Sequence, residues 1–234
     1  MSIIYALFDD GSQSVKKALE PLGHTVYSFG IQKKETVIGC DLTNLTDFFE
    51  KVKDLPKPDY IIANPPCETF SIASACLYPN GKSGNLYYFY EDAEPIKDFE
   101  TWSGSNSYNV RNMKRDKKEY FKNLIKKREI SEKLHENTDL IIKEFKVPYI
   151  IENPFTSLAW KKFHKDSIKN LTHYVAYDER FTKKPTIFAS DKKIELKTIT
   201  GNKKSKNTIE KNGNYNKRSS LPEALIIDAF NQLK

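Results

Sequence analysis

The sequence predicts a single α/β domain whose sheet is largely parallel and carries helices on both faces. Three observations predict it. Short, continuous apolar runs at residues 2–8, 25–29 and 59–63 read as strands buried on both sides. Segments with apolar residues at helical spacing separate them. A chain of 234 residues, 38% hydrophobic and 12% aromatic, closes one core of this kind with a small appendage but is short for two.

The first run, residues 2–8, ends in Asp9-Asp10-Gly11-Ser12, as a buried strand does when it feeds a turn. A helix follows from Ser14, itself an N-cap candidate, and stops at Pro21 and Gly23. Residues 25–29 are the second strand. Leu45, Phe48, Phe49 and Val52 recur at helical spacing until Pro56 and Pro58, and residues 59–63 are the next strand, with Asn64-Pro65-Pro66-Cys67 at its carboxyl end. Open α/β sheets place ligands at that end.

Residues 130–145 read as a helix with Leu134, Thr138, Ile141, Ile142 and Phe145 on one face. The strand 148–151 follows, ending at Glu152-Asn153-Pro154. Residues 172–177 and 185–189 are two further strands. Residues 192–217, rich in Lys, Asn and Gly, read as a mobile loop or minimal hairpin. The last helix covers 222–233, with Pro222 in its first turn and Leu225, Ile226 and Phe230 facing inward. The chain shows no internal repeat.

A net charge of +7 suits a polyanionic partner, and its distribution sharpens this. Nine basic and two acidic residues lie between Arg111 and Arg128, and twelve basic and three acidic between Arg180 and Arg218. Cysteines 40, 67 and 76 form no CxxC pair and the four histidines show no ligand spacing, so neither a disulfide framework nor a metal site is indicated. With no signal-like N-terminus and no long apolar run, the sequence reads as a soluble cytoplasmic protein.

In chain order the sequence reads LFDDGSQSVKKAL, DL, NPPCETFS, IENP, RFTKKPTIFAS and RSSLP. This order resembles the small, phage-type DNA cytosine-5 methyltransferases over nearly the whole chain. The Pro-Pro-Cys and Glu-Asn-Pro motifs, about 85 residues apart at two strand ends, are its specific part. The resemblance implies a Rossmann-like S-adenosylmethionine-dependent methyltransferase sheet plus a small irregular DNA-recognition segment. Residues 1–189 would be the catalytic domain, with 72–128 a DNA-contacting insertion, 190–217 a minimal recognition segment, and 218–234 a helix returning to the catalytic domain.

Carbon 5 of cytosine is too weak a nucleophile to attack a methyl sulfonium until a thiolate adds at carbon 6; the resemblance assigns that thiolate to Cys67. Glu152 would hydrogen-bond cytosine N3 and its exocyclic amine, stabilising the charge that develops. Arg180 would contact the flipped base. For S-adenosylmethionine, the turn Phe8, Asp9, Asp10, Gly11 and Ser12, with the following helix N-terminus, would hold the methionine end. Asp41, beside Leu42, would accept from the adenine amine, with Ile31, Asn64 and Pro65 completing the site. The turn is one residue longer than the family's, and Gly30 stands where the family carries a ribose-binding acid, which leaves Asp9 or Gln32 for the ribose.

The partner implied is double-stranded DNA, bound by a monomer with no membrane or metal. Ser71, Arg111, Lys114, Arg115, Lys184 and Arg218 would contact the DNA, Arg218 and Pro222 matching an RxxxP motif. Val175-Ala176-Tyr177 replaces the family's Cys-Gln-Tyr. Tyr87-Tyr88-Phe89-Tyr90 and Trp102 are aromatics that could fill the stack a flipped cytosine vacates. Two other readings fit the same residues. Asn-Pro-Pro followed by an aromatic marks enzymes that methylate exocyclic nitrogens, and Cys67 holds the aromatic's place; the altered turn and Gly30 also fit a DNA-binding relative without catalysis.

Overall fold

A computed structural model describes residues 1–9, 11–32, 34–70, 94–105, 114, 116–199, 205–206 and 219–234. In chain order the elements are β1 (Ile3–Leu7), α1 (Ser14–Leu19), β2 (Thr25–Gly30), β3 (Val37–Gly39), α2 (Leu45–Val52), β4 (Tyr60–Ala63), α3 (Phe99–Ser105), α4 (Lys117–Phe145), β5 (Tyr149–Pro154), α5 (Ala159–Lys162), β6 (Ile168–His173), β7 (Pro185–Ser190) and α6 (Glu223–Leu233). They fall into two compact units. The first comprises Met1–Pro65, Asn137–Phe155 and Asp166–Lys234, the second Pro66–Glu136 and Thr156–Lys165.

The first unit is a seven-stranded mixed α/β sheet of order β3-β2-β1-β4-β5-β7-β6. β3, β2, β1, β4 and β5 run parallel, while β7 is antiparallel to both its neighbours. Chain order reverses at β1, which lies between β2 and β4. Successive side chains of a strand point to opposite faces, and both faces here are covered. Ile4, Ala6, Val26, Ile62, Ile150 and Phe188 pack with Val15, Ala18 and Leu19 of α1 and with Leu225, Ile226, Ala229, Phe230 and Leu233 of α6. On the other face Tyr5 and Phe29 meet in a tilted ring contact. Phe48 of α2 joins through Phe29, and Phe145 of α4 packs edge-on to Tyr5 and Phe48. This agrees with the α/β reading.

The second unit has two small cores. Ile96, Trp102 and Phe121 pack with Phe99, Tyr120, Leu124 and Ile125, and Phe70 packs with Leu158, Ala159 and Phe163.

Several boundaries depart from the sequence reading, each for a local reason. Helix α4 begins at Lys117 rather than residue 130, because Tyr120, Phe121, Leu124 and Ile125 form a helical-period stripe onto Trp102 amid the lysines. Trp102 is 0% exposed and is therefore core, not an aromatic available to a base stack. Tyr87-Tyr88-Phe89-Tyr90 lie outside the described residues. Glu152, Asn153 and Pro154 lie inside β5, not after it, because they pair with Phe188, Ile187 and Thr186 of β7. The strand expected at 172–177 is instead Ile168–His173, and the chain turns through a 3₁₀ turn at Tyr174–Ala176. Pro222 precedes α6 as its N-cap residue rather than sitting in its first turn. Residues 192–199 are irregular; most of the remaining Lys-rich segment, 200–204 and 207–217, lies outside the described residues. No helix among the described residues is long and apolar enough to cross a membrane.

Phe230 is fully buried and its ring meets His24 and Tyr60 edge-on, each at 4.9 Å. Phe230→Ala is expected to lower unfolding free energy by about 3–5 kcal/mol in urea titrations. A loss under about 1 kcal/mol would contradict this packing.

Candidate active site

The site grows from the carboxyl ends of β1, β4 and β5, and the first of these is organised by Asp9. Phe8 takes a left-handed backbone with φ 63°, unusual for a bulky residue, and turns the chain so that Asp9 is buried. The Asp9 carboxylate accepts from the Val15 and Lys16 amides at 3.1 and 3.2 Å and from Ser28 Oγ at 2.9 Å. It therefore caps α1 from a distance. Ser14, the residue expected to cap the helix, instead accepts from the Leu221 amide at 3.0 Å, and the N-cap position is Gln13 with φ 53° and no side-chain cap. The first-turn amides of α1 that were expected to hold a cofactor carboxylate are thus satisfied by Asp9.

Two lysines grip the carbonyls of the turn. Lys34 Nζ donates to Gly11 O and Lys17 Nζ to Ser12 O. Gln13 is tied to Thr36 by a pair of hydrogen bonds. Asp10 lies outside the described residues. At the end of β2, Ile31 is 75% exposed, a large apolar side chain facing water. Asp41 is exposed; its Oδ1 accepts from the Thr43 amide and hydroxyl, and Oδ2 makes no hydrogen bond among the described residues. Leu42 is buried, and its carbonyl accepts from Asn137 Nδ2 at 2.8 Å.

β4 and β5 are neighbours in register, Ala63 opposite Ile151. Asn64 follows Ala63, its amide bonded to Leu7 O at 3.1 Å, and its buried Oδ1 has no partner among the described residues. Pro65 is buried, and its carbonyl accepts from Asn153 Nδ2 at 2.9 Å. This bond gives Asn153 a definite task. One residue earlier on β5, Glu152 accepts from Tyr174 Oη at 2.7 Å. Burial raises the Glu152 carboxyl above its ordinary range; the Tyr174 hydroxyl and the nearby Lys184 charge pull against that rise. A carboxyl so placed is inclined to hold a proton.

Cys67 belongs to the second unit and is partly exposed, in no disulfide among the described residues. Its carbonyl accepts from the Phe70 amide at 3.1 Å, starting a single 3₁₀ turn over Glu68–Phe70. Anchors surround this segment. Thr69 Oγ1 meets Ser131 Oγ at 2.8 Å, Glu68 pairs with Lys127 at 2.7 Å, and Phe70 O accepts from the Leu158 amide at 2.9 Å.

Arg180 is exposed and bound to Asp178, with contacts as short as 2.6 Å. Lys184 and Lys114 are exposed. Ser71, Arg111, Arg115 and Arg218 lie outside the described residues. Sequence reasoning missed Tyr174, which reaches Glu152 across 22 positions, and it had no local signal by which to find it. It also missed Ser28, a polar residue inside an apolar strand, which in retrospect marked a buried acceptor nearby.

Because its folded pKa is raised, Glu152 adds stability at acid pH. That contribution is lost as pH climbs from the ordinary carboxyl value of about 4.3 through the raised one. Tyr174→Phe and Lys184→Ala each remove a group that favours the carboxylate. Both should move the Glu152 titration further up in carbon-13 carboxyl NMR; an unchanged or lowered midpoint would contradict the geometry. No protein-family model matches the chain and no curated protein matches it, so the chemistry of the site rests on its own residues.

Proposed function

We propose that this chain is a DNA cytosine-5 methyltransferase in which Cys67 is the covalent nucleophile and Glu152 the acid that engages the base. The observation that carries this reading is the pairing of β4 and β5. The strand that leads into Asn64-Pro65-Pro66-Cys67 and the strand that bears Glu152-Asn153-Pro154 are parallel neighbours, and Asn153 grips the Pro65 carbonyl. The strands that begin the two motifs, far apart in sequence, are thus neighbours within one sheet. The raised Glu152 titration supports its role, since an acid for cytosine N3 needs a proton near neutral pH.

The residues fit S-adenosylmethionine, the methyl donor implied. Chain order reverses at β1, and open sheets of this kind bind ligands outside the carboxyl ends of the strands at such a point. Ile31 offers an exposed apolar surface to a purine, Asp41 an exposed carboxylate oxygen to its amine, and Asn64 a buried acceptor without a partner among the described residues. Lys17 and Lys34 bring positive charge to the turn where a carboxylate would lie. Asp9 is engaged with α1 and Ser28, so the ribose contact passes to Gln32, which is half-buried past β2. When bound, the cofactor supplies an electrophilic methyl group to carbon 5.

The chain's own residues do the rest. The Cys67 thiolate forms a bond to carbon 6 of a cytosine flipped from the duplex, and the electron pair of the 5,6 double bond moves toward carbon 5. Glu152, protonated, hydrogen-bonds N3 and stabilises the charge the ring acquires. Once carbon 5 carries the methyl group, its proton passes to water, the C–H electron pair restores the 5,6 double bond, and the carbon 6–sulfur bond breaks to release Cys67 as thiolate. Arg180 and Lys184 are the cations of the RFTKKPT segment proposed to meet the target strand.

The test is trapping on duplex DNA in which 5-fluorocytosine replaces cytosine throughout. Fluorine cannot leave carbon 5 as a cation, so the enzyme should remain bonded to DNA through Cys67 in the presence of S-adenosylmethionine. Cys67→Ala should give no adduct, and Glu152→Gln should slow its formation by about 10²–10⁴-fold. Methylation of ordinary DNA without any adduct on the fluorinated duplex would sink the reading.

A further inference from the structure

Three residues of α4 line up on the segment that holds Cys67. Lys127, Ser131 and His135 recur every four positions, the spacing of one helix face. Lys127 pairs with Glu68, Ser131 meets Thr69 Oγ1 at 2.8 Å, and His135 Nε2 reaches the Pro66 carbonyl at 3.3 Å. The last of these touches the residue immediately before the cysteine.

His135 is 0% exposed, and both its ring nitrogens are engaged. Nδ1 lies 2.8 Å from His164 Nε2. The ring stacks on Phe163 at 5.3 Å and meets Phe70 edge-on at 4.9 Å. Burial pushes the His135 pKa down to about 3, with His164 adding to the effect, so the ring is neutral at any working pH. A neutral imidazole has one donor and one acceptor. A carbonyl only accepts, so His135 Nε2 carries the proton toward Pro66 O, Nδ1 accepts, and His164 Nε2 donates to it. The hydrogen bonds run one way, from His164 through His135 to the backbone before Cys67. His164 reaches its place by a left-handed backbone, φ 52°, just past the end of α5. Packing against Phe70 and Phe163 alone would be served by Leu; a buried imidazole with two directed bonds is not needed for it.

We infer that His135, oriented by His164, is a positioning residue for the Cys67 nucleophile. It fixes the Pro66 carbonyl, and with it the direction in which the cysteine leaves the Pro-Pro segment. This rests on the reading of Cys67 as the attacking thiol. Proline has no N–H, so neither Pro65 nor Pro66 can brace this segment by donating a hydrogen bond. The bond from His135 to Pro66 O ties that peptide plane to the helix.

The experiment compares His135→Gln with His135→Asn. The Gln amide nitrogen reaches to about where Nε2 stands and can donate to Pro66 O, whereas the Asn amide stops near Nδ1. Asn is one methylene shorter than Gln, so His135→Leu is the packing control: it fills the space without a donor and should form adduct as slowly as His135→Asn. On 5-fluorocytosine duplex with S-adenosylmethionine, His135→Asn should form adduct about 10–100-fold more slowly than the parent, with its DNA Kd unchanged, the penalty expected for a displaced reacting group. His135→Gln should stay within about threefold of the parent, and His164→Leu should fall between them. Equal rates for His135→Gln and His135→Asn, whether both normal or both slow, would overturn the inference. If the parent itself forms no adduct, the cytosine-5 reading fails. The rate of Cys67 alkylation by iodoacetamide in the same proteins then decides the positioning claim separately, by the same Gln-against-Asn contrast.

Discussion

A Pro-Pro dipeptide has carbonyls to offer but no backbone donor, and the path of the chain beyond β4 depends on how those two carbonyls are held. Pro65 O accepts from Asn153 of β5, and Pro66 O accepts from His135 of α4. Each bond lies within its own compact unit, and together they fix two successive peptide planes ahead of Cys67. Both donors are side chains. That explains why Asn153 sits beside Glu152 on β5: the strand that carries the acid also carries the amide that steadies the approach to the cysteine.

Asp9 does for the first turn what Asn153 does for the Pro-Pro segment. Its carboxylate joins two amides of α1 to a hydroxyl of β2, so the strand, turn and helix at the point where chain order reverses share one acceptor. A carboxylate binding three donors in a buried setting is ill suited to release them for a ribose. The six-residue α1 needs that acceptor, since its own N-cap residue, Gln13, offers no side-chain cap. The acid at the end of β1 is thus part of the scaffold of strand, turn and helix. The surface proposed for cofactor binding then shifts to the ends of β2 and β4, where Ile31, Asp41 and Asn64 have exposed or unsatisfied groups.

The sheet was largely legible because strands β1, β2, β4, β5 and β7 are continuous apolar runs, buried on both faces, that no other element would produce. β3 was not, being three residues on the sheet edge with no apolar run to mark it. The first half of α4 was hidden by its lysines, although Tyr120, Phe121, Leu124 and Ile125 keep the helical period. Cys67 and Glu152 were singled out from motifs, which name residue types directly. Their supports were not. Tyr174 opens a 3₁₀ turn that reads like a strand, and His135 and His164 are 29 positions apart, so only tertiary folding brings them together. Histidine spacing tests for metal sites, and a hydrogen-bonded pair leaves no such pattern.

The positive charge of the chain reads differently once its partners are known. Lys127 is joined to Glu68, Lys162 to Glu132, Lys16 to Glu20 and Arg180 to Asp178. A basic run in sequence is thus not a row of waiting cations. For Arg180 the decisive quantity is exposure: its side chain is 65% accessible, so solvent screens its pairing with Asp178. The pair holds the guanidinium in a defined direction without a strong claim on it. Lys184 stands apart: its charge acts on Glu152, so a phosphate that neutralised Lys184 would weaken one of the two influences holding that acid's titration down. In the proposed reaction, engaging the target strand there would push Glu152 toward its protonated form, the form proposed to meet cytosine N3.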